Sequence, residues 1–534
     1  MRLRPASVIP PAVWLGMVPT LFLGLIMLAP LWRLGQEAAA GASWDTVAAL
    51  WQDDYLRWRI VWSFLQAGAT CIMALALALP VSWVLARFAF PGRALVLRLL
   101  MLPFVVPTLV AAMGVLALWG PRGWLSSWAG VDLQDTPWLL LYGNLFFNLC
   151  LVVRAGVDAL GLVSASRVAA ARTLGATPWR VFWRVEWPAI VPWLASALCL
   201  VFLYCFSGFG LALVLGGQRY ATAEVEIYTL VAHELKLAQA GVLALAMALL
   251  TGLVALAYAW IEKGLATPGR SDRIALRKPD GFMQWSSVGG ALLILGVFCA
   301  APLVAIGLRA LTAGGQAWAS VFDADSLRAI MNTLRFTLAA LLLATLLGVA
   351  HALAARRSVW MRASAFLPFV VSPVTVAFGL LLLYPRWSAS MLVLVSAYAL
   401  LAYPFVAKSL GAALDQLPAQ LAQAARTLGA SPWRLFWRVT LPLVAPSLRR
   451  GMAFAAATAL GEFAVTLFLS RPEWATLTTL IYERLGRPGA ANQDAALVLA
   501  AVLMLLALLA FLLIEQPASE QQSARLSARK TRHA

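Results

Sequence analysis

The chain has 534 residues, of which 62% are hydrophobic and only 12% are charged. A soluble domain of this length does not have such a composition, so the sequence predicts an all-α membrane protein with many spanning helices. The net charge of +18 would suggest nucleic-acid binding in a soluble protein. In a membrane protein it indicates basic cytoplasmic loops in contact with the lipid bilayer, and no nucleic-acid partner is predicted.

A membrane-spanning helix needs about 20 apolar residues, and twelve stretches of the chain meet this requirement. They lie near 11–32, 60–86, 96–119, 137–157, 191–216, 241–260, 286–308, 332–354, 363–384, 388–408, 448–470 and 494–514. The first stretch could also be a signal peptide, but it is long and no clear A-x-A cleavage site follows, so a retained span is expected. The predicted domains are a first half 1–262, a linker 263–285, a second half 286–515 and a basic tail 516–534.

Each half is predicted to contain six spans, and because six is even, both halves have the same orientation. Basic residues such as Arg87, Arg167 and Arg356 collect in the loops on one side, together with the basic linker. Acidic residues such as Glu224 and Glu226 collect in the loops on the opposite side. The positive-inside rule therefore places the linker and both termini in the cytoplasm.

Two near-copies of one polar stretch interrupt the apolar pattern, at 164–188 and 418–442. The first contains AAARTLGATPWRVFWRVEWP and the second QAARTLGASPWRLFWRVTLP, and the two align without a gap. Each is predicted to form a short helix, a glycine turn and a short amphipathic basic helix. That second helix is predicted to end at Pro188 or Pro442. The duplication indicates that the whole chain consists of two repeats.

The repeated stretch is similar to the EAA loop of permease subunits of binding-protein-dependent ABC importers. That loop has the pattern A-A-x-x-x-G, with a proline further along the chain. The matching residues here are Ala170, Ala171, Gly175 and Pro188 in the first copy and Ala424, Ala425, Gly429 and Pro442 in the second. The leading glutamate of the family is absent, because Ala169 and Gln423 occupy its position.

The resemblance implies the type I importer fold, with two tandem six-helix halves in parallel orientation. It also implies that each loop is a coupling helix docked on a cytoplasmic ATPase. Two loops would then engage two ATPase copies, while one periplasmic binding protein delivers the substrate. The residues expected at these contacts are Ala170, Ala171, Gly175, Pro178, Trp179, Phe182, Ala424, Ala425, Gly429, Pro432, Trp433 and Phe436.

No ATPase activity is expected of the chain itself, because its sequence lacks the phosphate-binding pattern G-x-x-x-x-G-K-[ST]. ATP would be used by the partner subunit, and no cofactor, metal site or catalytic residue is predicted. An alternative for each loop is an amphipathic helix that lies in the lipid interface, which tryptophan and arginine would also suit. Two nearly identical copies favour a protein partner, since lipid contact does not require a fixed sequence.

Within the family, fused permeases of this length resemble the importers of iron(III) and of thiamine. The segments WQDDYL at 51–56, RGWL at 122–125, FFN at 146–148 and the apolar ending at 493–515 resemble the thiamine permeases most. The resemblance therefore implies an inner-membrane permease for thiamine or its phosphates, with iron(III) as the alternative substrate.

Glu462 is the clearest acidic residue within a predicted span, in the segment LGEFAVTLFLS. An acid at the centre of a spanning helix costs about 2.5–3.5 kcal/mol on insertion scales, so it is expected to face a cavity or a partner. We therefore expect Glu462 to line the substrate path, and a helix-packing hydrogen bond is the alternative role. An ion-coupled secondary transporter, which also uses repeats and intramembrane acids, is the rival class of protein.

Overall fold

The computed structural model describes residues 11–41, 52–264, 274–356, 358–387, 390–469 and 471–514. Within these ranges the chain is helical, and its β-type pairing is an isolated bridge between Phe88 and Arg277. The predicted all-α fold is therefore confirmed. Part of the predicted linker, including Arg270 and Arg273, and the predicted tail 516–534 lie outside the described residues.

The first half contains six long helical units, labelled α1 to α6. Their bounds are Pro11–Leu23, Gly24–Leu28 (a π-helical turn) and Ala29–Gly41 for α1; Asp54–Arg87 for α2; Arg93–Leu99, Leu102–Val105, Thr108–Trp119 and Trp124–Ala129 for α3; Pro137–Gly161 for α4; Pro178–Val181, Phe182–Glu186 (π-helical) and Trp187–Phe206 for α5; and Leu237–Gly264 for α6. Shorter helices are Ala165–Thr173, Gly210–Leu215 and Ala223–Ala232.

The second half contains the corresponding units α7 to α12. Their bounds are Phe282–Leu295, Gly296–Ala300 (π-helical) and Ala301–Thr312 for α7; Ala324–Ala355 for α8; Val359–Ser364, Leu367–Val370 and Pro373–Leu383 for α9; Met391–Asp415 for α10; Pro432–Leu435, Phe436–Thr440 (π-helical) and Leu441–Leu460 for α11; and Ala490–Ile514 for α12. Shorter helices are Gly314–Ala319, Ser320–Phe322, Ala419–Thr427, Ala464–Leu469, Pro472–Trp474 and Leu477–Gly486.

Nine helices among the described residues are long and apolar enough to cross a membrane, and up to eleven if each bent pair counts as one span. The bent pairs are α3 and α9, with angles of 104° and 93° at their breaks. Each break lies beside a proline, Pro107 or Pro373, which cannot continue the hydrogen bonding of the preceding turn. The one predicted span not among these eleven, near 448–470, corresponds to α11, which carries Arg449 and Arg450.

The two halves exchange their first helices. α1 packs against α8 and α9 of the second half as well as against α6 of its own, whereas α7 packs against α2, α3 and α4 of the first half as well as against α12 of its own. Glycine permits both crossings: a Cβ on Gly379 would lie 2.9 Å from Pro30 Cβ, and one on Gly114 would lie 2.8 Å from Pro302 O. The halves are therefore interlocked through matched glycine–proline contacts.

A tyrosine from the opposite half supports each of these exchanged helices. A π-helical turn in α1 and in α7 changes the local hydrogen-bonding register, as such turns do. Tyr384 Oη donates to Leu25 O in the first turn at 3.2 Å, and Tyr142 Oη donates to Val297 O in the second at 2.5 Å. Both hydrogen bonds link one half to the other.

Hydrogen bonds at the start of α2 and α8 show how closely the halves correspond. Ser63 Oγ accepts from Ala223 N at 2.9 Å, and Thr333 Oγ1 accepts from Leu477 N at 2.9 Å. Each bond holds the N-terminal end of a short helix against the second long unit of its half. The two hydroxyl groups therefore mark equivalent positions in α2 and α8.

Candidate functional site: the repeated loops and the central cavity

The two repeated loops have the same backbone conformation. Each begins with a short helix that ends at a glycine with a left-handed backbone, with φ of 77° at Gly175 and 78° at Gly429. Ala176 N donates to Ala171 O at 3.1 Å, and Ala430 N donates to Ala425 O at 3.0 Å. This bond is the helix-ending pattern that a glycine at this position permits, so the predicted glycine turn is confirmed in both copies.

A hydroxyl group caps the next helix in each loop. Thr177 Oγ1 accepts from Arg180 N at 3.4 Å, and Ser431 Oγ accepts from Arg434 N at 3.3 Å. Such a cap satisfies one of the backbone N–H groups that have no partner within the first turn of a helix. The threonine-proline and serine-proline pairs of the sequence therefore start α5 and α11.

The prediction that Pro188 and Pro442 end the second helix of each loop is wrong. α5 continues through Pro188 to Phe206, and α11 continues through Pro442 to Leu460. A π-helical turn lies directly before each proline, at Phe182–Glu186 and Phe436–Thr440. We attribute the tolerance of proline to this turn, because its wider hydrogen-bonding register relaxes the demand for the missing N–H group.

Each repeated loop therefore begins a long continuous helical rod. The rod from Trp179 to Tyr204 is about 38 Å long at about 1.5 Å per residue. Its far end contributes Tyr204 and Ser207 to a cavity at the centre of the molecule, and α11 contributes Phe454 and Thr458. The two loops and the cavity are consequently joined by single secondary-structure elements.

Apolar side chains are exposed at the tip of both loops. Leu174 and Leu428 are each 88% exposed, and Trp179 and Trp433 are each 70% exposed. In both copies the first alanine of the repeated pair is exposed and the second is half-buried, and the phenylalanines Phe182 and Phe436 are half-buried. This matching exposure gives each loop an uncovered apolar surface formed by a leucine and a tryptophan.

The first loop forms an ion pair with α2 for which the second loop has no acidic residue. Arg87 Nη2 donates to Glu186 Oε1 at 2.8 Å, and both side chains are buried. Thr440 occupies the position of Glu186 in the second copy. Residue Arg277 of the linker also pairs with the end of α2, because its N–H donates to Arg87 O at 3.0 Å and its O accepts from Ala89 N at 2.8 Å. The ion pair thus ties the first loop to the end of α2, and the linker lies beside the same end of that helix.

The central cavity lies between the halves and has a volume of about 250 Å³. Helices α2 to α5 form one wall, and α9 to α11 form the other. Eight of the lining side chains are aromatic, and Phe104 packs among three of the others. Its ring centroid is 5.9 Å from that of Phe147, 5.7 Å from that of Tyr204 and 5.9 Å from that of Phe454.

Glu462 lines this cavity and is the one charged side chain among the described residues that do so. The structure corrects its expected position within a helix, because Glu462 lies in the break between α11 and Ala464–Leu469. Its Oε1 accepts from Val465 N at 3.0 Å, and its O accepts from Thr478 Oγ1 at 3.1 Å. The carboxylate thus borders the cavity and also caps a short helix.

Glu224 and Glu226 lie in a helix, so the expectation that they lie in a loop is wrong. Both are buried in the short helix Ala223–Ala232, which packs between α2, α6 and α9. Glu224 Oε2 accepts from Ser372 Oγ of the second half at 2.6 Å, and Glu226 Oε2 lies 3.5 Å from Arg59 Nε. Hydrogen-bonding and ionic partners compensate the burial of these carboxylates.

Sequence reasoning did not identify three amide side chains in the cavity wall, Gln66, Asn144 and Asn148. Asn144 Nδ2 donates to Gln66 Oε1 at 2.7 Å, and Asn148 Nδ2 donates to Asn144 O at 2.9 Å. The available signal was two asparagines four residues apart in an otherwise apolar span, which places both on one helix face.

The sequence pattern of one protein family matches the chain twice, at residues 78–267 and 336–522. This family is described as binding-protein-dependent transport system inner membrane component. The two matches together cover more than half of the chain, and they contain both repeated loops.

Curated relatives match over most of their length. The thiamine transport system permease protein ThiP of Salmonella typhimurium is 28% identical, covering 97% of this chain and 98% of the relative. The protein of the same name from Escherichia coli is 29% identical, covering 88% and 91%, and that from Haemophilus influenzae is 27% identical, covering 90% of each. Among solved structures, a bacterial ABC transporter for the import of alginate gives a TM-score of 0.42 at 17% identity, covering 48% of this chain and 96% of that one.

Proposed function

Because this chain belongs to the family of binding-protein-dependent transport system inner membrane components, we propose that it is the permease of an ATP-driven importer for thiamine or its phosphates. As a family member it is a multi-pass transport subunit of the inner membrane. In the proposed assembly, a periplasmic binding protein delivers the substrate and a separate cytoplasmic subunit hydrolyses ATP. The chain itself binds no cofactor and performs no hydrolysis.

The observation that carries the choice of thiamine is the match, over nearly the full length, to permeases named for thiamine transport. The chemistry of the central cavity agrees with this choice. Thiamine carries a fixed positive charge on an aromatic ring, and aromatic faces attract such cations. The rings around Phe104 and the carboxylate of Glu462 offer both interactions. We therefore assign the cavity as the substrate path and Glu462 as a residue that helps the cation through it.

Iron(III) is a weaker candidate for the same path. Hard metal cations are bound by several oxygen ligands, whereas the described lining contains one carboxylate among mainly apolar and aromatic side chains. An organic cation with an aromatic ring fits this lining better than a bare or hydrated metal ion.

We further propose that the two loops couple the permease to two copies of the ATPase. The exposed surfaces formed by Leu174 with Trp179, and by Leu428 with Trp433, would enter grooves on these subunits. The rods α5 and α11 would then carry movement of the loops directly to the cavity, because no flexible joint separates the two. Ala170, Ala171, Ala424 and Ala425 would allow close approach of the partner surface.

Reconstitution tests the proposal. The purified chain in liposomes should take up labelled thiamine only when the ATPase, ATP and the thiamine-loaded binding protein are all present. Uptake by the chain alone, driven by an ion gradient, would support a secondary transporter and contradict the proposal. Uptake of iron(III) but not thiamine by the full assembly would contradict the proposed substrate while leaving the importer mechanism intact.

The orientation is tested separately by cysteine labelling. A cysteine replacing Ser127, in a cysteine-free background, should react with a membrane-impermeant thiol reagent added outside the cell. A cysteine replacing Thr177 should react only after permeabilisation, because the positive-inside rule places the loop and both termini in the cytoplasm. The reverse labelling pattern would overturn the proposed orientation.

A further inference from the structure

The two walls of the central cavity differ in polarity although the halves are repeats. Gln66, Asn144 and Asn148 of the first half line the cavity. In the second half, the corresponding positions hold Phe336, Tyr398 and Ala402, which are buried in the core. The hydrogen-bonding wall therefore belongs to one half alone, and Glu462 lies on the other side of the cavity with no acidic counterpart at Gly208.

The amide wall is fixed by its own hydrogen bonds. Besides the bond between Asn144 and Gln66, Gln66 Nε2 donates to Cys205 O at 2.7 Å. Asn148 Nδ2 is also occupied, because it donates to Asn144 O at 2.9 Å and to Cys205 Sγ at 3.3 Å. These contacts set the orientation of each amide before any ligand arrives.

One hydrogen-bonding group of this wall has no partner. The side chain of Asn148 is only 3% exposed, yet its Oδ1 accepts no hydrogen bond from any residue that the structure describes. Buried polar atoms are usually paired, and an unpaired acceptor beside a cavity favours a ligand that supplies a donor. Since the amide nitrogen is already engaged, the free group is an acceptor and would select an N–H or O–H group.

We infer that Asn148 recognises the amino group of an aminated heteroaromatic ring and thereby orients the cargo, with its cationic ring towards Glu462. This inference rests on the proposed function, because thiamine joins an aminopyrimidine ring to a cationic thiazolium ring. The aromatic side chains around Phe104 lie in the same lining and provide faces on which the flat rings stack. The one-sided polarity of the cavity thus matches the two unlike ends of the cargo.

The test compares thiamine with oxythiamine, in which an oxygen replaces the amino group. Transport is measured in liposomes containing the full assembly, with the binding protein saturated by either compound, so that only the step through the permease is compared. Wild type should transport thiamine faster, and Asn148→Leu should lower the ratio of the two maximal rates by about tenfold, the effect expected of one hydrogen bond. The matched control is Thr251→Val, which also removes a buried hydroxyl but lies in α6 outside the described cavity lining, where that hydroxyl donates to Met247 O at 2.7 Å; this variant should keep the wild-type ratio.

The outcomes separate the inference from the proposed function. If wild type transports no thiamine, the proposed function fails. If wild type transports thiamine but Asn148→Leu keeps the wild-type ratio, or lowers both rates equally, Asn148 does not read the amino group and the inference is overturned. Asn148→Ala covers the case in which the leucine variant does not insert: it also removes the acceptor oxygen but adds no bulk, so it should lower the ratio in the same way, and a wild-type ratio in this variant would also overturn the inference.

Discussion

Glu462 has two roles, one at the cavity and one in capping a short helix. It borders the cavity, and its Oε1 also accepts the backbone N–H of Val465. A substitution that removes only the charge can separate these roles, because the amide oxygen of glutamine can accept the same hydrogen bond. The two functions of the side chain are therefore experimentally distinguishable.

We expect Glu462→Gln to lower thiamine uptake by roughly 10–100-fold, which corresponds to the loss of one charged interaction of about 1.5–3 kcal/mol. Membrane abundance and co-purification with the ATPase should not change, because the helix cap remains. The measurement is the initial rate of thiamine uptake in vesicles. The amounts of the permease in the membrane and of the co-purified ATPase are determined by immunoblot. Wild-type uptake kinetics in this variant would contradict a role in transport and would show that Glu462 has only a structural role.

The sequence placed Glu462 correctly beside a cavity but not in the correct backbone context. Its apolar neighbours gave no indication that the helix stops at Leu460 and restarts at Ala464. The sequence also could not reveal that Asn144 and Asn148 line the same cavity as Glu462, because that arrangement depends on how distant spans pack. Local patterns identify a polar residue in an apolar span, but only tertiary structure identifies what it faces.

The helical elements show how a repeated loop can be connected rigidly to a distant cavity. Pro188 and Pro442 suggested two separate short helices, because proline usually ends a helix. The π-helical turn before each proline instead allows one continuous rod. The sequence correctly predicted the glycine turns, which depend on local residues, and missed the continuity, which depends on a rare helical register.

The glycine turns can be tested with Gly175→Trp and Gly429→Trp. Both positions have positive φ, which L side chains rarely adopt, and a bulky group would also stand on the proposed contact surface. Uptake should be abolished while the protein is still inserted in the membrane. The measurements are uptake, membrane abundance and ATPase co-purification for each variant.

Gly92→Trp is the matched control for these variants. Gly92 also has positive φ, at 83°, and no atom lies within 4 Å of a Cβ built on it, as at Gly175. It lies outside both repeated loops, so Gly92→Trp should retain most uptake. Equal loss in all three variants would show a general effect of backbone strain, and normal uptake with normal ATPase co-purification in both loop variants would contradict the coupling role.

At the scale of the whole molecule, the exchange of α1 and α7 makes each half depend on the other. Single-sequence reasoning identified both helices and the duplication, but it could not assign α1 to the surface of the second half. The small residues at these crossings, Gly114 and Gly379, look like ordinary glycines of apolar spans. Their role becomes visible only when Pro302 and Pro30 are found against them.

Gly114→Ala and Gly379→Ala should each destabilise the assembled chain. Alanine normally favours a helix over glycine by about 1 kcal/mol, but here the added Cβ meets backbone atoms of the other half, and overpacking typically costs about 1–3 kcal/mol. Thermal unfolding in detergent, followed by tryptophan fluorescence, should show a lower midpoint for both variants.

Gly290→Ala provides the control for the crossings. Gly290 lies in α7, and no atom lies within 4 Å of a Cβ built on it, so its substitution should leave the midpoint unchanged or raise it slightly. If Gly114→Ala and Gly379→Ala also raised the midpoint of thermal unfolding, the crossings would have room for a methyl group. The close contact would then not be required.

The exchanged helices also bear on how the chain is made. α1 leaves the ribosome first, but α8, against which it packs, begins only at Ala324. At a synthesis rate of about 5–20 residues per second, the gap corresponds to roughly 15–60 s. During that time α1 stays in the bilayer without its neighbours α8 and α9, and the face that will contact them must be tolerated by lipid or covered by an insertion factor. Because both halves belong to one polypeptide, α1 remains covalently linked to α8 and α9 while these helices are synthesised.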